Sequence, residues 1–112
     1  MSTMVELRTL VTAAAAAYTA NGALGAAVAL RWVDTSGARW IHHALYAVTL
    51  TSTAVAVVAG AARRSPAALA LAPAAVPLML LQRHGARPLR RHARVALWAA
   101  PCYAAGLVLA WR

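Results

Sequence analysis

The chain has 112 residues, 62% of them hydrophobic, and its 11 arginines against two acidic residues give a formal net charge of +9. It has no lysine, and its only carboxylate side chains, Glu6 and Asp34, lie outside every long apolar stretch. A soluble domain of this size needs a charged exterior that this composition lacks, and the catalytic use of paired carboxylates is excluded. We therefore expect an integral membrane protein that is not an enzyme.

Four uncharged, apolar stretches predict a single all-α domain, residues 1–112, built as a bundle of four transmembrane helices. Connectors that contain arginine separate the stretches, which cover residues 9–30, 40–62, 65–82 and 95–111. A helix needs about 17–25 apolar residues to cross roughly 30 Å of hydrocarbon, which matches these lengths. The first stretch is too long for the core of a signal peptide, so we interpret it as the first membrane helix.

The first stretch is rich in alanine and is marginally hydrophobic. Asn21 lies near its midpoint, with Gly22 and Gly25 on the same side of the predicted helix. Small residues let helix backbones approach closely, and a carboxamide in hydrocarbon is unfavourable unless another helix supplies a hydrogen-bond partner. We therefore expect this side of the helix to face protein.

The second stretch carries one narrow stripe of polar and small residues at alternating spacings of four and three. Its members are His42, Tyr46, Thr49, Thr53, Ala56 and Gly60. In an antiparallel hairpin Thr49 and Thr53 lie at the depth of Asn21, which predicts an interhelical hydrogen bond between them. The predicted packing interface consists of Asn21, Gly22, Gly25, Tyr46, Thr49, Thr53 and Gly60. The alternative is that the stripe lines a polar pathway or ligand groove.

Prolines shape the third and fourth stretches. Ser65 is a favourable N-cap residue and Pro66 a favourable first-turn residue. Pro73 and Pro77 each remove a backbone donor, which predicts a kink or local unwinding. Broken helices mark binding sites in transporters, so a functional interpretation stays open beside the structural one. The only cysteine, Cys102, lies in the fourth stretch, which excludes an intrachain disulfide.

Arginine is concentrated in the connectors before the second and fourth stretches. These two connectors hold seven arginines, and the rest of the chain holds four. The positive-inside rule then places both connectors in the cytoplasm of a multi-pass protein of the cell membrane, with both termini outside. We expect a surface for anionic lipid headgroups or an acidic partner at Arg83, Arg87, Arg90, Arg91 and Arg94. The alternative is that these charges only set orientation; nucleic acid is not an expected partner.

The four histidines are the only conventional metal ligands. They lie in or beside the same two connectors, at positions His42, His43, His84 and His92. Four imidazoles on one side of the membrane could hold zinc, copper or a haem. Adjacent His42 and His43 point about 100° apart on a helix, and the neighbouring arginines disfavour a cation. We therefore expect no metal site and no cofactor.

The sequence favours a small non-catalytic membrane protein that acts by helix packing, as a homo-oligomer or as an accessory subunit of a larger complex. This interpretation rests on the sides of several predicted helices that consist of small residues. One alternative is a small transporter or channel, although no Asp, Glu, Lys, Arg or His occupies the middle of any stretch. The other is a haem- or metal-binding membrane protein. The lipid bilayer and other membrane subunits are the expected partners.

Overall fold

A computed structural model describes residues 3–32, 40–84 and 89–112, and within these ranges the ordered elements are helices. The helices are α1 (Thr3–Ala29), α2 (Trp40–Ala62), α3 (Pro66–Leu71), α4 (Ala75–His84), α5 (Leu89–Trp98) and α6 (Ala100–Trp111). A 3₁₀ turn, Ala72–Ala74, joins α3 to α4. The chain thus forms four helical rods in the described ranges: α1, α2, α3 with α4, and α5 with α6. The predicted all-α class is confirmed.

Three of these rods are long and apolar enough to cross a membrane. They are Trp40–Ala62, Pro66–Arg83 and Arg90–Trp111. The 27-residue helix α1 is not among them, because Thr19, Asn21 and two glycines lower the mean hydropathy of its apolar stretch. The structure therefore supports three of the four predicted membrane helices.

Two helices begin earlier than their uncharged stretches. Helix α1 begins at Thr3 rather than at residue 9, and α5 begins at Leu89 rather than at residue 95. Arginine is a good helix former, so a charge marks the edge of an apolar segment without ending the helix. Glu6 in the first turn of α1 is also favoured by the helix dipole.

Every described proline lies in the first turn of a helical segment. Pro66 begins α3, Pro73 lies in the 3₁₀ turn, Pro77 is the third residue of α4 and Pro101 the second of α6. The first N–H groups of a helix have no intrahelical acceptor, so proline is tolerated there. The predicted break in the third stretch is confirmed, and a turn at Ala99 interrupts the fourth rod before Pro101. The predicted N-cap is confirmed, since the Ser65 hydroxyl oxygen accepts from the Ala67 N–H at 3.2 Å.

Short turns with an arginine in the left-handed backbone region end α1 and α2. Arg31 has φ 62° and Arg64 has φ 54°. After α2, the Ser65 N–H donates to the Gly60 carbonyl at 2.8 Å, and the Arg64 N–H donates to the Ala61 carbonyl at 3.0 Å. This pattern is a Schellman motif, in which glycine is the usual left-handed residue. The motif lets α3 start three residues after α2 ends.

The core lies between the first half of α1 and the helices around it. Helix α1 packs on α2 and α6, and α3 packs on α2 and α6. The buried residues of α1 are Leu7, Val11, Ala14 and Ala15, and its residues beyond Ala15 are half-buried or exposed. Helices α2 and α3 approach so closely that a Cβ on Gly60 would lie 2.7 Å from the Ala68 Cβ. Beyond Ala15, Tyr18 still packs against this core, and residues 19–29 of α1 are left outside it.

Candidate functional site

Three side chains that carry a hydroxyl group meet between the helices and link three of the four rods. The Tyr103 hydroxyl lies 2.7 Å from the Thr53 Oγ1, and both residues are buried. The Tyr18 ring stacks on the Tyr103 ring, with 4.3 Å between centroids and 15° between planes. The Tyr18 hydroxyl donates to the Ala96 carbonyl at 2.6 Å. This hydroxyl cluster, Tyr18, Thr53 and Tyr103, connects α1 and α2 to the rod formed by α5 and α6.

The break before Pro101 explains why Tyr18 finds a backbone acceptor. A proline has no N–H to donate, and its ring disturbs the preceding turn, so carbonyl groups near the break are open to other donors. The Ala96 carbonyl accepts from the Ala99 N–H at 3.3 Å and also from Tyr18. The cluster therefore stabilises a broken helix. No buried side-chain nitrogen or oxygen in the described residues lacks a hydrogen-bond partner.

The predicted interface on α2 contributes to contacts within the chain. The Tyr46 hydroxyl donates to the Leu78 carbonyl of α4 at 2.6 Å, and Gly60 lies against α3. Thr53 bonds to Tyr103, while the buried Thr49 hydroxyl donates to the Leu45 carbonyl of its own helix at 2.8 Å.

Asn21 forms no hydrogen bond with either threonine in the described part of the chain, so this prediction is wrong. Contacts near Leu7 and Gly60 set the register of the antiparallel pair α1 and α2. In that register Thr53 lies opposite residues 14–16 of α1, about two turns from Asn21.

The two glycines on the small-residue side of α1 face open space in the described chain. A Cβ added at Gly22 or at Gly25 would find no atom within 4 Å. Ala26 and Ala29 are also exposed, and Asn21 is half-buried. The pairs Gly22 with Ala26 and Gly25 with Ala29 have the four-residue spacing that allows close helix contact in membranes. Within the described residues of one copy of the chain, Tyr18 on this side of α1 faces protein, whereas Gly22 and Gly25 stay uncovered.

A second set of contacts ties the two chain termini together. The Arg8 Nε donates to the Ala110 carbonyl at 3.0 Å, and the guanidinium lies 5.2 Å from the centre of the Trp111 ring. The indole N–H of Trp111 donates to the Thr12 hydroxyl at 2.9 Å. A cation is favourable at the C-terminal end of a helix, where carbonyl groups lack intrahelical donors. The sequence did not predict this role for Arg8, because it depends on which helices are neighbours.

The basic residues beside the third connector lie at the opposite end of the rods from these termini. Arg83, Arg90, Arg91 and Arg94 are exposed, and Arg87 lies outside the described residues. At the terminal end, Arg63 pairs with Glu6 at 2.9 Å. The antiparallel order of the rods places the described end of α1 and the start of α2 at the same end as the close of α4 and the start of α5.

The described histidine side chains lie at this basic end of the rods. His42 and His92 are half-buried and His43 is exposed, whereas the side chain of His84 lies outside the described part. Among the described residues, no group of three His, Cys, Asp or Glu side chains could hold a metal ion.

Two open grooves run along the outside of the rods. The larger, about 620 Å³, follows α4 and is lined by Ala75, Val76, Met79, Leu80, Gln82 and Arg83. The smaller, about 340 Å³, follows α2 and is lined by Ala54, Val55, Val58 and Ala59. Only the first has a charged residue among these described lining residues.

No known protein family, curated protein or solved structure matches this chain. The features that bear on function are therefore its own: an internal hydroxyl cluster, an uncovered small-residue side on α1, and a basic end. The hydroxyls of the cluster bond to one another and to backbone, so the cluster holds helices together and offers no charged group for acid–base chemistry.

Proposed function

We propose that this chain is a non-catalytic integral membrane protein with four membrane helices, which acts by packing against other membrane helices. It does so in a homo-oligomer or as an accessory subunit of a larger complex. Three rods of suitable length and composition support the membrane location. Large apolar side chains such as Val58, Leu69 and Val108 are more than 60% exposed, and exposed apolar surface of this extent is suited to lipid.

The main support for this proposal is the second half of α1, where the described helices leave small residues uncovered. This helix is the least apolar rod, and its exposed Gly22, Gly25, Ala26 and Ala29 offer lipid little apolar area. Asn21 beside them has a carboxamide for which hydrocarbon supplies no partner. Another helix would cover the small residues, which allow close backbone contact. It could also form a hydrogen bond with the Asn21 carboxamide. The chain's own described helices leave this position vacant.

The hydrogen bonds made by the polar stripe of α2 favour helix packing over a transport pathway. In a channel or transporter the hydroxyls of this stripe would face a water-filled space. Thr53 instead bonds to Tyr103, Tyr46 bonds to the Leu78 carbonyl, and Thr49 bonds within its own helix. The three hydroxyls are thus occupied, two by contacts between helices and one by a contact within α2.

Native mass spectrometry of the full chain in mild detergent tests the proposal. We expect an oligomer or a copurified membrane protein, and we expect Gly25→Leu to remove it because leucine fills the open position. The matched control is Ala54→Leu, which adds the same side chain on the exposed side of α2. A strictly monomeric protein with no copurified partner would overturn the proposal, as would equal loss in both variants.

We also propose that the basic end lies in the cytoplasm and that both termini lie outside the cell membrane. The exposed residues Ala62 and Gln82 lie at the two ends of the rods and carry no charge. In a Cys102→Ala background, we expect an impermeant thiol reagent added outside intact cells to label Ala62→Cys and to spare Gln82→Cys. The reverse labelling pattern would invert the orientation, and equal labelling would rule out a single orientation.

A further inference from the structure

The groove on α4 has the dimensions of a lipid acyl chain in one leaflet. It is lined by exposed Ala75, Val76 and Met79 and by half-buried Leu80, and it ends at Gln82 and Arg83. Ala75 and Arg83 are eight residues apart, which is about 12 Å along a helix. One leaflet of a bilayer has a hydrocarbon depth of roughly 15 Å. The charged end of the groove therefore coincides with the expected headgroup level.

We propose that this groove binds one anionic phospholipid, with an acyl chain along α4 and the phosphate at Arg83. A planar guanidinium donates two parallel hydrogen bonds to a phosphate, and the neighbouring Gln82 amide can donate a further one. Helix α5 packs against α4 and brings the exposed Arg90 and Arg94 to the same end. The proposal concerns one copy of the chain and does not depend on oligomer formation.

The charges around the groove select an anionic headgroup over a neutral one. Glu6 is the only carboxylate side chain in the described ranges, and it lies at the opposite end, where it pairs with Arg63. Each arginine near a headgroup layer strengthens the binding of anionic lipid by about five-fold, and that attraction is absent for a neutral lipid.

The groove on α2 provides an internal comparison. It is also apolar and open, but the described residues that line it are Ala54, Val55, Val58 and Ala59. Lipid tails can cover such a surface without any choice of headgroup. The feature that distinguishes the α4 groove is therefore its charged end, and a test has to separate the effect of charge from the effect of shape.

Lipid retention by the purified full chain separates the two effects. The protein in mild detergent is mixed with phosphatidylglycerol and phosphatidylcholine of identical acyl chains, and native mass spectrometry counts the bound lipids. We expect one retained phosphatidylglycerol, favoured by about five-fold or more over phosphatidylcholine. Arg83→Gln should reduce that preference by about five-fold, whereas Arg83→Lys should keep most of it. Ala75→Trp, which fills the groove, should remove retention of both lipids.

Two control variants change the same residue types elsewhere. Arg64→Gln removes an exposed arginine at the opposite end, and Ala54→Trp fills the α2 groove. Both should retain phosphatidylglycerol as the unchanged protein does, and all five variants should give the same helical circular dichroism. Equal retention of the two lipids would overturn the proposal, as would an equal effect of Arg64→Gln and Arg83→Gln. Full displacement of the lipid by millimolar glycerol phosphate would also overturn it, because the site would then recognise soluble phosphate.

Discussion

The closest helix contact in the structure predicts that Gly60→Ala destabilises the protein. The added Cβ would lie 2.7 Å from the Ala68 Cβ and 3.3 Å from a Leu7 methyl carbon. Carbon atoms in good contact are about 3.5–4.0 Å apart, so α2 and α3 have to separate by about 1 Å. No rotamer relieves this contact, because the Ala68 Cβ is fixed to its backbone. The turn that bonds Ser65 to the Gly60 carbonyl resists the movement.

Two opposing contributions decide the size of the effect. Overpacking of this kind costs typically 1–3 kcal/mol, whereas replacing glycine by alanine inside a helix gains about 0.8–1.0 kcal/mol. Gly22→Ala makes the same change where a Cβ meets no atom within 4 Å, so only the gain applies there. We therefore expect the free energy of unfolding of Gly60→Ala to be about 1–3 kcal/mol below that of Gly22→Ala.

SDS titration in bicelles, followed by tryptophan fluorescence at low protein-to-lipid ratio, measures both free energies. Addition of Ala68→Gly to Gly60→Ala removes the opposing Cβ and should restore most of the lost stability. Equal stability of Gly60→Ala and Gly22→Ala would refute the close approach of α2 and α3. Failure of the Ala68→Gly rescue would show that the strain has another origin.

Three further predictions follow from the contacts. In a double-mutant cycle, Tyr103→Phe and Thr53→Val should show a coupling of about 0.6–1.7 kcal/mol in SDS unfolding, and no coupling would mean that their hydroxyls do not bond. Arg64→Gly should raise the free energy of unfolding by about 1–2 kcal/mol by relieving a left-handed backbone, while Arg64→Ala should not; equal gains would assign the effect to charge. Glu6→Gln should lower stability by less than about 1 kcal/mol, with the difference vanishing in 1 M salt, because its pair with Arg63 is exposed.

Local features of the sequence predicted the helical segments well. The ends of α2 agree with the predicted 40–62, the Ser65 cap forms as expected, and the break at Pro73 lies where a missing N–H requires it. These features depend on neighbouring residues alone. The starts of α1 and α5 were predicted less well, since charge patterning reports the edge of an apolar segment and arginine does not end a helix.

The sequence by itself determined the helical class, the order of the rods and the basic end, because periodicity, prolines and arginines act locally. Only the tertiary structure decided which side chains meet. Thr53 bonds to Tyr103 rather than to Asn21, and Tyr18 bonds to the Ala96 carbonyl. These partners depend on the rotation and register of each rod, which the contact of Gly60 with Ala68 helps to set. The sequence did indicate that Tyr103 needs a hydrogen-bond partner, because a buried tyrosine in an uncharged stretch has to satisfy its hydroxyl. The identity of that partner is fixed by packing between distant segments.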